Sequence, residues 1–192
     1  MIKGRYMKNR LNRTNKAEKA EKAKRVLISA ASGCLLLLLY RIIFSFSAQD
    51  GETSSGLSMY IAEKGVELIN AITGGHWTEG FMLGVAAYFE NPIRKLAHFC
   101  EYAVMGVLVY TFLRPWLQRG KRLYLITVCW VFLSAFADEL HQLFVPGRYS
   151  NPLDVILDTC GGAFGMMCVI AVEKWMQKRM VAYKREKEIR GK

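Results

Sequence analysis

Residues 138–148 place several reactive side chains close together along the chain. They are Asp138, Glu139, His141, Gln142 and Arg148. A histidine titrates near neutrality and can act as an acid or a base, a carboxylate can orient it or take its proton, and an arginine fork suits phosphate. The stretch follows apolar residues 123–137 without a turn signal, and Pro146-Gly147 then breaks the helix. Charged groups at the end of a predicted membrane-spanning helix are costly, so they indicate a functional site.

Candidate partners for these side chains occur in residues 94–102 and 154–158. Six residues are candidates for catalysis, and the sequence does not choose among them: His98, Glu101, Asp138, Glu139, His141 and Asp158. Seven residues are candidates for binding a ligand: Arg94, Lys95, His98, Tyr102, Gln142, Arg148 and Asp154. No metal or cofactor is expected, because the spacing matches no established metal signature and the HExxH motif is absent. The five cysteines all lie in apolar runs and form no CxxC pair, which is typical of small apolar filler residues in helices.

The elements that would position these residues are four apolar stretches, predicted to span a membrane at about 26–46, 95–113, 123–143 and 153–172. A span requires roughly 20 mostly apolar residues, and each stretch meets that length. A soluble bundle of buried helices is the alternative, but runs such as Leu35 to Leu39 lack a polar face. The predicted fold is therefore an all-α integral membrane bundle of four transmembrane helices, with an interfacial helical segment between spans one and two.

The net charge of +11 is concentrated in three segments. Residues 1–25, 114–122 and 173–192 contain 22 of the 27 lysines and arginines. Basic residues favour the cytoplasmic side, and four spans place these three segments on one side of the membrane. The pattern predicts a plasma-membrane protein with cytoplasmic tails at 1–25 and 173–192, in contact with lipid head groups. Nucleic-acid binding has no supporting motif.

Residues 50–93 form the long outer segment of this topology. Leu57, Ile61, Leu68 and Ile72 recur at near-helical spacing, which favours an amphipathic helix at the membrane interface. Gly74-Gly75 predicts a break. Pro92 predicts the first turn of span two. Before the first span, the first half of residues 1–25 is expected to be disordered.

This topology places the charged residues of the spans at one end, in the outer leaflet. At about 100° per residue, Asp138, His141 and Gln142 share one face of span three, with Glu139 to one side. Asp154, Asp158, Gly161 and Gly165 fall on one stripe of span four. Small residues four apart permit close helix packing in membranes, so span four is expected to turn its glycines and aspartates into the bundle.

Four motifs resemble the VanZ-like family of small bacterial membrane proteins. They are Phe46-Ser-x-Gln49, Lys95-x-x-His98-x-x-Glu101-Tyr102, Asp138-Glu-x-His-Gln-x-Phe-x-Pro-Gly-Arg148 and Asp154-x-x-x-Asp158-x-x-Gly-Gly-x-x-Gly165. The resemblance covers roughly residues 40–170. It implies a bacterial cell-envelope setting, since the family is named after a protein associated with low-level resistance to the glycopeptide teicoplanin. It implies no particular biochemical activity.

Three hypotheses remain open from the sequence. The chain binds an anionic lipid, a lipid-linked wall precursor or an amphiphilic glycopeptide antibiotic at the outer leaflet, and this binding contributes to antibiotic resistance. Alternatively, it is a membrane-embedded enzyme that acts on a lipid-linked substrate with His98, Asp138 and Asp158. In the third hypothesis the charged residues form only a structural lattice that holds the bundle together.

Overall fold

The computed structural model describes the backbone of residues 2–148 and 150–190, and the side chains within them from residue 16 onward except residue 184. This part of the chain is all-helical and contains no strand. Its five helices are α1 (Ile2–Ser47), α2 (Gly51–Thr73), α3 (Glu79–Leu113), α4 (Lys121–Gln142) and α5 (Pro152–Arg190). Four of them, α1 from Lys16 onward, α3, α4 and α5, are long and apolar enough to span a membrane. The predicted helical membrane bundle is confirmed.

Two helices begin earlier than the sequence predicts. Helix α1 starts at Ile2, so the disorder expected near the N-terminus is wrong for the backbone described. Helix α3 starts at Glu79 and runs through Pro92 without a break, so the predicted start of a helix at Pro92 is also wrong. A proline inside a helix removes one backbone donor, but membrane helices tolerate it.

Capping residues explain where α2 and α3 begin and where α2 ends. Asp50 accepts a hydrogen bond from the backbone N–H of Thr53 at 2.7 Å, and Thr78 accepts one from that of Phe81 at 3.4 Å. These are N-cap contacts, which satisfy otherwise unpaired donors of the first turn. Helix α2 ends where Gly74 adopts a left-handed conformation with φ of 63°. The two helices form an antiparallel hairpin, packed through Ala62, Val66 and Ala86.

The core of the bundle lies around α3, which packs against every other helix. Its Tyr102, Met105 and Val109 are buried against Val131 of α4 and Leu36 of α1. Large apolar side chains are also exposed on the outside of the bundle, among them Leu35, Leu37, Leu38, Leu133, Phe136 and Phe164. Such outward apolar faces are costly in water and fit contact with lipid chains.

Glycines set the close contact between α3 and α5. A Cβ atom built at Gly161 would overlap the backbone carbonyl of Phe99, and one at Gly165 would overlap that of Ala103. Gly106 of α3 faces the backbone of Gly162 in the same way. The expectation that the glycine stripe of span four turns into the bundle is therefore confirmed.

Candidate functional site

A cavity of about 280 Å³ lies at the end of the bundle where α4 ends and α5 begins. We call it the polar cavity. Eight of the residues singled out from the sequence line it: Arg94, Lys95, His98, Glu139, Gln142, Arg148, Asp154 and Asp158. They come from the middle of α3, the end of α4, the start of α5 and the loop between α4 and α5. The structure thus brings together side chains from three helices and a loop.

Two of the carboxylates in the polar cavity already have partners. Lys95 donates to Oδ1 of Asp154 at 2.6 Å, which ties α3 to the first turn of α5. Oε2 of Glu139 accepts a hydrogen bond from the backbone N–H of Asn151 at 2.9 Å. This second contact holds the loop between α4 and α5 against the end of α4. Both contacts fit the structural lattice hypothesis as well as a binding site.

The two arginines of the cavity make their closest contacts with uncharged oxygen atoms and not with carboxylates. Arg148 donates through Nη1 to the carbonyl oxygens of Phe46 at 3.0 Å and Ser47 at 3.4 Å, and it forms no ion pair within the described residues. Arg94 donates to Oγ of Ser55 at 3.3 Å, and its nearest carboxylate oxygen, on Glu90, is 3.8 Å away. Both guanidinium groups therefore keep donors that a bound anion would accept.

Glycines bring the Arg148 loop close to the start of α2. The backbone N–H of Gly51 donates to the carbonyl oxygen of Pro146 at 3.1 Å. A Cβ atom at Gly51 would overlap the backbone of Gly147, and Gly147 itself has φ of 71°, a conformation that favours glycine. The approach of these two backbones positions Arg148 over the carbonyl groups at the end of α1.

Glu101 lies outside the polar cavity, in a neighbouring pocket of about 130 Å³. This side pocket is lined by apolar residues such as Leu57, Ile61 and Ile93 and shares Arg94, His98 and Arg148 with the polar cavity. Nδ1 of His98 lies 3.6 Å from Oε2 of Glu101, one turn further along α3. The imidazole therefore stands between the two spaces, with a carboxylate beside it.

Asp138, His141 and Tyr102 line a third space, a groove of about 760 Å³ between α1, α3 and α4. Most of this apolar groove is formed by side chains such as Ile43, Met105, Leu125 and Leu133. The ring of His141 stacks on Phe44 with centroids 4.7 Å apart.

The face of α4 that carries Asp138, His141 and Gln142 borders two different spaces. Asp138 and His141 face the apolar groove, whereas Gln142 and Glu139 line the polar cavity. A hydrogen bond of 3.1 Å from the Gln142 amide to Oδ2 of Asp138 connects the walls of the two spaces.

Several buried polar atoms near these spaces have no hydrogen-bond partner among the described residues. They are Oδ1 of Asp158, Nδ1 of His98, Nε2 of His141 and Oγ of Ser47. Most buried polar groups in folded proteins are paired, so such a cluster calls for a physical reason. Within the described residues, no group of three or more His, Cys, Asp or Glu side chains has the arrangement of a metal site.

Sequence reasoning missed the contribution of α2 to the cavity. Gly51 and Ser55 of α2 also line it, as does Asn91 of α3, although α2 was expected to lie along the membrane interface. A signal was present, since Asp50 followed by Gly51 begins a helix close in sequence to the end of span one. Nothing in the pattern showed that this start would meet Gly147.

The fold and the cavity define a multi-pass helical membrane protein with a polar cavity at one end of its bundle. Comparison with protein families gives a match to the family described as VanZ/LLP1 over residues 33–173, and the chain belongs to that family. No curated protein and no solved structure matches the chain.

Proposed function

We propose that this protein binds the phosphate-bearing head group of an amphiphile, an anionic lipid or a lipid-linked wall precursor, in the polar cavity. The observation that carries the proposal is the position of Arg94 and Arg148 on one small polar cavity. Arg148 forms no ion pair within the described residues and donates to backbone carbonyl oxygens, and the ion pair of Arg94 with Glu90 is long, at 3.8 Å. An arginine fork pairs with phosphate through two parallel hydrogen bonds, each stronger than a neutral hydrogen bond.

The apolar groove supports an amphiphile rather than a free anion. Its wall meets that of the polar cavity at the hydrogen bond between Gln142 and Asp138. Along α4 the groove extends from Leu125 to His141, which is about 24 Å at the rise of an α-helix. A head group in the cavity would leave its chain within reach of this groove. An amphiphilic glycopeptide antibiotic has the same overall character, and its binding would connect the protein with resistance.

The proposed orientation places both tails in the cytoplasm and the polar cavity in the outer leaflet of the plasma membrane. The distribution of basic residues supports it, since Arg114, Arg119 and Lys121 lie at the opposite end of α3 and α4 from the cavity. Labelling intact cells with a membrane-impermeant thiol reagent tests the orientation with a cysteine introduced in residues 50–93 on a cysteine-free background. Labelling only after the cells are opened would refute it.

Replacing Arg148 is expected to weaken lipid binding. In Arg148→Gln and Arg94→Gln, the dissociation constant for phosphatidylglycerol should rise by about tenfold each, because a hydrogen bond to a charged group contributes about 1.5–3 kcal/mol. Native mass spectrometry of the purified protein with added lipid measures this constant.

Arg41→Gln is the matched control for this experiment. Arg41 is an exposed arginine on α1 and is absent from all three spaces. Its replacement should leave the dissociation constant unchanged. Equal weakening by all three substitutions would mean that lipid is held by surface charge alone, and unchanged binding in Arg148→Gln would refute the site.

A membrane-embedded enzyme is the second candidate function. His98 favours it, because it stands 3.6 Å from Glu101 and shares the polar cavity with Asp158, as an acid or base beside a bound substrate would. Asp138, the third residue of this hypothesis, faces the apolar groove instead. Turnover of a labelled lipid-linked precursor, lost in His98→Ala while binding is kept, would establish catalysis. If the wild-type protein binds the precursor but forms no product, catalysis is refuted and only the binding function is retained.

A further inference from the structure

Two buried carboxylates, Asp158 and Glu139, line the polar cavity, and Asp158 has an oxygen atom without a hydrogen-bond partner among the described residues. Asp158 is 2% exposed, and its Oδ1 accepts no hydrogen bond from the described residues. Glu139 is 6% exposed, and it accepts hydrogen bonds from the backbone N–H of Asn151 and from the side chain of Ser150. Lys95 does not serve either of them, since it is paired with Asp154. The cavity therefore presents buried acceptors as well as the donors of Arg94 and Arg148.

A buried acid without a donor is costly, and a bound group that donates a hydrogen bond to it would lower that cost. A purely anionic ligand would pair with the arginines and leave Asp158 without a partner. A hydroxyl group would give Asp158 one hydrogen bond but no opposite charge. A primary ammonium group supplies both, because it has three donors and a compact positive charge.

The size of the cavity limits the ligand further. Sites for drug-sized molecules usually have volumes of about 300–1,000 Å³, so a cavity of about 280 Å³ suits a small head group. A disaccharide or a peptide would have to extend outside it. The small volume, the two arginines and the two buried acids together match a short zwitterion.

We infer that the ligand carries an amine as well as a phosphate, as in the ethanolamine phosphate head group of a lipid. The phosphate pairs with Arg148 and Arg94, and the ammonium group pairs with Asp158 and Glu139. This inference rests on the proposed binding of a phosphate-bearing amphiphile and specifies its head group. Opposite charges on two walls of the cavity would then fix the orientation of the bound molecule.

Competition between two lipids tests the inference. The purified protein is mixed with equal amounts of phosphatidylethanolamine and phosphatidylglycerol that have identical acyl chains, and native mass spectrometry counts the bound molecules. The wild-type protein should prefer phosphatidylethanolamine by about tenfold, as expected for one added charge-assisted hydrogen bond. Asp158→Asn keeps the shape and removes the charge, so the ratio should fall to near one while phosphatidylglycerol binding stays.

Glu79→Gln is the control variant, because Glu79 is an exposed carboxylate in the first turn of α3 and lines neither the cavity nor the groove. It should keep the wild-type preference. Glu139→Gln is a second variant that should lower the preference for phosphatidylethanolamine. It replaces Asp158→Asn in the experiment if that variant does not fold. The wild-type competition needs no variant at all.

The outcomes separate this inference from the proposed function. Binding of phosphatidylglycerol that depends on Arg148, without a preference for phosphatidylethanolamine, would overturn the amine and leave phosphate binding in place. No binding of either lipid that depends on Arg148 would overturn both. Soluble phosphoethanolamine is the third probe. It should compete only in large excess over the lipid, and competition at equal concentration would show that the ligand is the free amine phosphate rather than a lipid.

Discussion

Gly165→Leu is expected to separate α5 from α3 and to lower the free energy of unfolding by about 3 kcal/mol. Added volume in a packed core costs about 1–3 kcal/mol. The upper end applies because the new Cβ atom would overlap the backbone carbonyl of Ala103, which cannot rotate away as a side chain can. Unfolding of the purified protein in mixed micelles, followed by circular dichroism, measures the loss.

Gly84→Leu is the control for this prediction. Gly84 lies in α3, and a Cβ atom there would meet nothing within 4 Å. Leucine has a higher helix propensity than glycine by roughly 0.5–1 kcal/mol, so this variant should be as stable as the wild type or slightly more stable. Equal stability of Gly165→Leu and the wild type would mean that α3 and α5 do not pack through their glycines.

The face of α5 that packs against another helix could be predicted from its glycines. Gly161 and Gly165 are four residues apart, so they share a face, and a helix face without side chains lets another helix backbone approach closely. The partner helix could not be predicted in this way. Gly106 is the residue of α3 that meets Gly162, but a single glycine in an apolar run indicates no particular neighbour.

The course of α3 could not be predicted from local signals. Pro92 is favourable in a first turn, and residues 81–89 are too short to span a membrane, so the pattern favours a new helix at Pro92. The structure continues the helix because α2 packs beside this region, with Ala86 buried against Ala62 and Val66. A tertiary contact thus outweighs the missing backbone donor.

For the candidate site, the sequence predicted which helix ends carry the polar residues, but it did not predict how α4 is rotated about its axis. Hydropathy and charge place Lys95, His98 and Asp154 at the same end of their helices, and the structure brings them together. The rotation of α4 about its axis could not be predicted, because its residues 123–137 are apolar on all sides and indicate no inward face. In the structure, Glu139 faces the polar cavity and Asp138 faces the apolar groove.

A second polar cluster, at the end of the bundle opposite the polar cavity, was missed for a related reason. Glu173 of α5 lies in a segment interpreted from the sequence as a basic tail, and Arg114 and Arg119 lie in the basic segment 114–122. In the structure, Glu173 forms ion pairs with both arginines and accepts a hydrogen bond of 3.0 Å from Tyr110. Single residues in charged segments carry no signal of such pairing.

Glu173→Gln is expected to lower the free energy of unfolding by about 2 kcal/mol. Breaking a buried ion pair costs about 3–5 kcal/mol, and the value is smaller here because the Glu173 side chain is 30% exposed. The neutral amide keeps the shape of the side chain but gives no charge to Arg114 and Arg119. The loss is measured in the same mixed-micelle unfolding experiment.

Glu186→Gln on the same helix is the matched control. Glu186 pairs with Arg190 at 2.7 Å, but both side chains are mostly exposed, so the pair should contribute only about 0.3–0.5 kcal/mol. A difference between the two variants would therefore report the environment of Glu173 and not the change of residue type. If both variants lose the same small amount, the cluster does not hold α5 to α3, and the glycine contacts alone determine how these two helices pack.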